Sequence, residues 1–396
     1  MKKKKIGLLL QIVIAIAAGI TVGMAPTWLN ILDPSINIVV RLGNTFKGIF
    51  GQFLGFMIPM IIAGLVIPAI SNIGNKAGKL LIVTVLIAYV STVFAGVTSY
   101  LTGAAVFPDM IVPSSMEQAT GTASPEPFFT VQIPPIMGVM SALVLAFTVG
   151  LGLAYTQNEP LMKIAKGFEE LMTLTIEKVI IPALPLYIFC IFLDMSYVGE
   201  VFSILTVFIK IIGVIFLIHI GILILQFSIA GIIAKKNPFK LLFNMLPAYF
   251  TALGTQSSAA TIPITLAQTR KNGVSEEISG FTVPLCATIH MSGSTLKIVA
   301  CALAIMMMNG MEYNLGMFIG FICMLAITMV AAPGVPGGAI MASLGLLGSM
   351  LGFDQQAQAL MIALYIAMDS FGTACNVTGD GAIAVIVDKL FSSRHK

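Results

Sequence analysis

Long apolar stretches separated by short polar links run through most of the chain. A helix needs roughly 20 predominantly apolar residues to cross a bilayer. By that measure the pattern predicts spans over about 8–28, 46–70, 80–102, 134–156, 172–194, 201–234, 278–308 and 358–390. Between the third and fourth, AAVFPDMIVPSSMEQATGTASPEPFFTVQIPP is polar and proline-rich and reads as a long loop, about 103–133. Two more apolar stretches break the rule. Residues 241–269 carry Gly, Gln, Ser and Thr in mid-segment, and residues 324–356 carry Pro and Gly there. Irregular backbone at membrane depth is tolerated only where protein or a water-lined cavity satisfies it. Each stretch therefore reads as two half-helices that enter and return on one side. The order hairpin, helix, hairpin, helix has the form of an inverted repeat, which in transporters points to the binding site. The expected fold is an all-α polytopic membrane protein with eight transmembrane helices and two re-entrant helical hairpins.

Charge gives this pattern a direction. Lys2–Lys5 precede the first span, Lys76 and Lys79 follow the second, Lys163 and Lys166 the fourth, and Lys235, Lys236 and Lys240 the sixth. Under the positive-inside rule these links are cytoplasmic, with the loop around Asp109, Glu117 and Glu126 outside. Arg270 and Lys271 return to the inside only if 241–269 is a hairpin, and Arg394 and Lys396 then place the C-terminus inside as well. Arg41 and Lys47 run against the rule. The first apolar run is too long for a signal-peptide core, so it reads as a span with a basic anchor. The expected location is a cell inner membrane or plasma membrane, with both termini cytoplasmic and the lipid bilayer as partner.

Composition agrees. Of 396 residues, 58% are hydrophobic and 10% charged, against ~25% charged in a soluble domain. Basic residues cluster at span ends, a topology signal that makes no case for nucleic acid. The five cysteines form no CxxC pair and no HExxH occurs. Neither a disulfide scaffold nor a metal centre is expected, and no nucleophile–base constellation marks an enzyme.

The chemistry concentrates in the last two spans. Asp369, Thr373, Asn376 and Asp380 are spaced four, three and four, which puts them on one face of a helix. Two carboxylates in a hydrocarbon slab need a partner: a base, a cation or a substrate. Asp369 could meet a substrate ammonium. Thr373 and Asn376 could bond polar substrate groups, and Asp380 could hold a cation or exchange a proton. Ser257, Ser258, Val335 and Gly337 lie at the interrupted tips and could add contacts. In TIHMSGSTLKIV, His290, Ser294 and Lys297 are spaced four and three, with Ser292 between them. Lys297 beside Asp380 or Asp369 would settle two desolvation problems at once. Lys210 and His219 in the sixth span have no matching cluster and read as structural.

These residues resemble the dicarboxylate/amino acid:cation symporters, the glutamate-transporter fold. NVTGD at 376–380 matches the family's signature. GVPGGAI at 334–340, TQSSAATIP at 255–263 and ATIHMSG at 287–293 are similar to its second tip, first tip and seventh-span motif. The resemblance implies glutamate-transporter-like inverted repeats, a homotrimer, and secondary active uptake by an elevator motion. It implies a scaffold of about 1–75 and 134–198 and a moving transport region of about 76–105 and 199–390, gated by the second hairpin. It assigns Asp369 to the substrate amino group, Thr373 and Asn376 to substrate, and Asp380, with Asn376, to sodium. Ser257, Ser258, Val335 and Gly337 fall in its tips.

The departures shape the functional expectation. Acidic-substrate members carry an arginine where this chain has Gly372, or on the first tip, where it has Gln256. With neither, the expected substrate is a small neutral amino acid. Ser91 and Thr92 fall near a sodium-site hydroxyl pair. His290 and Ser292, however, replace the family's Asn and Asp, and Lys297 replaces its tyrosine. The coupling ion is then H+ or Na+, with a lean toward the proton, and Asp380, His290, Ser292, Lys297 and Asn376 are the coupling residues. No cofactor is expected. The alternatives are a sodium-coupled symporter of dicarboxylates or acidic amino acids, and an ion channel.

Overall fold

The computed structural model describes residues 7–25, 34–75, 78–111, 124–199, 201–330, 332 and 336–392. Lys2–Lys5, Lys76, Glu117, Val335, Arg394 and Lys396 lie outside the described residues. In chain order the helices are α1 (Leu8–Gly23), α2 (Pro34–Asn75), α3 (Lys79–Val106), α4 (Val139–Thr156), α5 (Glu159–Thr175), α6 (Ile181–Val198), α7 (Val201–Ala234), α8 (Pro238–Thr255), α9 (Ser258–Lys271), α10 (Glu276–Ile289), α11 (Ser292–Met308), α12 (Leu315–Val330), α13 (Gly338–Leu351), α14 (Gln355–Ala367) and α15 (Asp369–Ser392).

Seven helical stretches among the described residues are long and apolar enough to cross a membrane: 37–71, 79–109, 139–156, 159–198, 204–234, 276–308 and 369–391. Several of them expose apolar side chains on their outer faces, whereas α11, within 276–308, is buried throughout. On α7, Ile209, Leu217 and Ile232 each expose more than 70% of their surface, a pattern that water would penalise and lipid does not. The chain is thus an all-α, multi-pass membrane protein.

Seven of the eight expected spans have a counterpart among these stretches, and the first corresponds to the shorter apolar helix Leu8–Gly23; three further differences stand out. The second extends back to Pro34. The fifth begins at Glu159, because Asn158 caps the helix by accepting from the Leu161 amide at 3.2 Å. A five-residue π-helical segment, Ile176–Ile180, then carries α5 into α6. The third difference matters most. Spans seven and eight were expected to be continuous helices, and both are broken. His290 and Met291 leave helical geometry between α10 and α11. Met368 does so between α14 and α15, so Asp369 begins a helix rather than sitting inside one.

The interrupted stretches fold as two helix pairs. Gln256, at φ 53, ends α8, and the Ser257 hydroxyl caps α9 by accepting from the Ala260 amide; α9 packs back on α8. The stretch 324–356 divides into α12 and α13, which also pack together, with Gly337 at φ 76 opening α13. The left-handed backbone there suits glycine. Lys47, an exception to the topology rule, is paired with Asp194 of α6 at 2.6 Å.

The α10–α11 break presses on α15. A Cβ at Gly293 would lie 2.5 Å from the Cys375 Cβ and 2.5 Å from the Gly372 carbonyl oxygen. We expect Gly293→Val to destabilise the protein by about 1–3 kcal/mol, the usual cost of overpacking, measured by denaturant titration in detergent micelles. Unchanged stability would show that the two helices can separate freely here.

Candidate functional site

The polar residues of the last two spans meet around α15 in two clusters. At the first, the start of α15 faces α11 and the Gly337 tip. The Lys297 Nζ lies 3.6 Å from Asp369 Oδ1 and donates to the Met368 carbonyl oxygen at 3.1 Å. It also sits 3.9 Å from the centroid of the Tyr365 ring. The Gly337 amide donates to Asp369 Oδ2 at 2.8 Å. Both residues are buried, Lys297 at 1% and Asp369 at 5% exposure. Each neighbour of the ammonium is a group that recognises a cation: a carboxylate, the carbonyl dipole at the helix break, which also accepts from the Phe371 and Gly372 amides at 3.2 Å, and an aromatic face. A Cβ at residue 372 would collide with Lys297 Nζ and Cε. The missing side chain of Gly372 is therefore what admits the lysine.

Asn376 and Thr373 hold this cluster together. The Asn376 Oδ1 accepts from the Gly293 amide at 2.8 Å and the Ser294 amide at 3.4 Å, and its Nδ2 donates to Ser294 Oγ at 3.1 Å. Tyr365 donates its hydroxyl to the same Ser294 Oγ. Thr373 bonds the Asp369 carbonyl one turn back, at 3.1 Å. At the first tip, Gln256 Nε2 donates to Ser370 Oγ at 3.2 Å, and Ser258 is buried beside it in sequence.

The second cluster lies further along α15. His290 Nδ1 is 2.9 Å from Asp380 Oδ1, and its Nε2 is 3.1 Å from Ser91 Oγ. Gln226 of α7 donates to Ser91 Oγ at 3.0 Å and to Ser292 Oγ at 3.2 Å. Asp380 Oδ2 and Gln226 Oε1 are buried with no hydrogen-bond partner among the described residues. Thr92 accepts from the Met291 amide at 3.4 Å.

The sequence treated His290 and Lys297 as neighbours on one helical face. The break between α10 and α11 separates their tasks, giving His290 to Asp380 and Lys297 to Asp369. Gln226 and Tyr365 escaped the sequence reading. Gln226 had a usable signal, as the one amide side chain in the apolar run LILQFSI. Tyr365 had none, since an aromatic in a span is ordinary. Val335 lies outside the described residues.

Comparison with known proteins identifies the family. The family model described as the sodium:dicarboxylate symporter family matches residues 8–390. Human excitatory amino acid transporter 1 is 33% identical over 204 residues, which cover 51% of this chain and 36% of that protein. Mouse excitatory amino acid transporter 3 is 34% identical over 160 residues, 40% of this chain and 30% of that protein. Human excitatory amino acid transporter 2 is 31% identical over 163 residues, 41% and 28% of the two chains. The matched region thus spans about a third of the length of these relatives.

These matches overturn the expectation of a small neutral amino acid as substrate. That expectation rested on the absence of an arginine at Gly372 and Gln256. The same absence opens the space that the Lys297 ammonium fills, so positive charge reaches the site from a different helix. The match across residues 8–390 places the chain in the sodium:dicarboxylate symporter family, a family of transporters rather than enzymes.

Proposed function

We propose that the chain is a secondary active symporter that couples sodium entry to uptake of a dicarboxylate or acidic amino acid. The observation that carries this reading is the polar face of α15, packed on the α8–α9 pair and bonded to the Gly337 tip of the second, in a chain matched almost throughout by the family model. Asp369, Thr373 and the tips at Ser257, Ser258 and Gly337 surround the substrate. The positive charge beside them comes from Lys297. Eight spans and two re-entrant hairpins, α8–α9 and α12–α13, complete the architecture.

Helix packing supports a scaffold of about 1–75 and 134–198 and a transport region of about 76–105 and 199–390. Helix α1 lies against α6, and α2 lies against α4, α5 and α6. By contrast, α3 packs on α11 and α12, and α15 packs on α7 through α11. The two groups would slide past one another in an elevator motion, within a homotrimer whose termini face the cytoplasm.

For the coupling ion, the family description favours sodium over the proton toward which the sequence leaned. Sodium requires oxygen ligands, and the orphaned Asp380 Oδ2 and Gln226 Oε1 are such oxygens, buried and uncompensated. His290 takes the other oxygen of Asp380 and holds the carboxylate in place. Asn376, by contrast, has its Oδ1 engaged by backbone amides, which leaves it a positioning role between α11 and α15. A bound sodium would neutralise Asp380 where burial otherwise penalises it.

Proteoliposomes containing the purified protein should accumulate succinate or aspartate when sodium is higher outside than inside, and fail to do so when the gradient is abolished. Absence of uptake of both under an inward sodium gradient would overturn the reading. Asp380→Asn should raise the sodium concentration for half-maximal uptake by about tenfold or more, a loss of roughly 1.4 kcal/mol of ion binding. An unchanged sodium curve would remove Asp380 from the ion site.

A further inference from the structure

We propose that Lys297 and Asp369 form a built-in ion pair that stands where a substrate ammonium would otherwise bind, so that the site selects a dicarboxylate without an amino group, one of whose carboxylates docks on Lys297. This inference rests on the dicarboxylate reading of the site and narrows it. Asp369 has two oxygens, and both are engaged: Oδ1 by the Lys297 ammonium at 3.6 Å and Oδ2 by the Gly337 amide at 2.8 Å. A substrate ammonium reaching Asp369 would have to displace one of them. It would also stand beside the Lys297 ammonium in a buried, low-dielectric site, where like charges repel strongly. Specificity then has a repulsive element as well as an attractive one.

The attractive element is equally specific. Lys297 enters from α11 through the gap over Gly372. The Met368 carbonyl at the α14–α15 break, which also accepts from the Phe371 and Gly372 amides, and the Tyr365 ring neighbour its ammonium. An ammonium has three donors. One goes to the Met368 carbonyl oxygen at 3.1 Å, and the 3.6 Å separation from Asp369 is long for a hydrogen bond. Donor capacity therefore remains for a substrate carboxylate. A lysine acts as a compact point charge where an arginine would offer a planar fork, so the site would read charge and position more than carboxylate geometry.

Succinate and aspartate share one skeleton and differ by one ammonium group, which makes them the discriminating pair. In sodium-driven proteoliposome uptake, the wild type should take up succinate with an apparent affinity at least about tenfold higher than aspartate. Lys297→Met removes the ammonium and releases Asp369. Succinate uptake should weaken by roughly thirtyfold or more, as expected for loss of a buried charge partner, and the succinate-to-aspartate ratio should move toward aspartate. Gly372→Ala keeps both charged groups but displaces the lysine, and should shift the ratio the same way. It also carries the test, together with the wild-type ratio, if Lys297→Met does not fold. A wild type that prefers aspartate, or a ratio unmoved by both variants, overturns this inference and leaves the symport reading standing. No uptake of either compound overturns both.

Discussion

Peptide groups freed by a broken helix cannot be left bare inside hydrocarbon, where each costs several kcal/mol. The molecule meets that constraint by gathering its breaks around α15 and closing them with the same side chains that form the candidate site. Asn376 takes the Gly293 and Ser294 amides at the α10–α11 break. Thr92 takes the Met291 amide. Asp369 takes the Gly337 amide at the second tip, and Lys297 joins the Phe371 and Gly372 amides on the Met368 carbonyl at the α14–α15 break. Backbone satisfaction and ligand chemistry are therefore one network. A substrate or ion that engages any of these side chains also changes what supports the backbone around it, which is a physical route from binding to movement of a tip.

Charge obeys the same economy. Lys297 pairs with Asp369 and His290 with Asp380, so the interior brings each buried carboxylate together with a nitrogen base. A buried pair is poor evidence for stability, because desolvation offsets much of the attraction. Its value here lies in function. The first pair sets a cation beside the Gly337 tip that Asp369 also holds, and the second leaves one carboxylate oxygen without a partner among the described residues, as the Gln226 side-chain oxygen is.

Glycine makes both arrangements possible in a literal sense. At Gly293 the absent Cβ lets the α10–α11 break touch α15, and at Gly372 it admits the lysine. The inference that an absent arginine means a neutral amino acid substrate failed at this point. It looked for positive charge only at positions 372 and 256, although the space released at 372 is open to side chains from any helix packed against it.

Much of the fold was legible in the chain itself. Apolar stretches of bilayer length, and the Gly, Pro and Ser interruptions at 241–269 and 334–337, follow from local composition and need no partner to be read. The helical spacing of Asp369, Thr373, Asn376 and Asp380 likewise marked the polar face, because a 3.6-residue period is a property of one helix. Only the tertiary structure decided which base meets which acid. The breaks at His290–Met291 and Met368 redirect side chains that an unbroken helix would align, and the partners Tyr365, Gln226 and Ser91 come from residues more than 60 positions away from those they meet. Sequence spacing measures distance along one helix, while the pairing of buried charges depends on packing between helices.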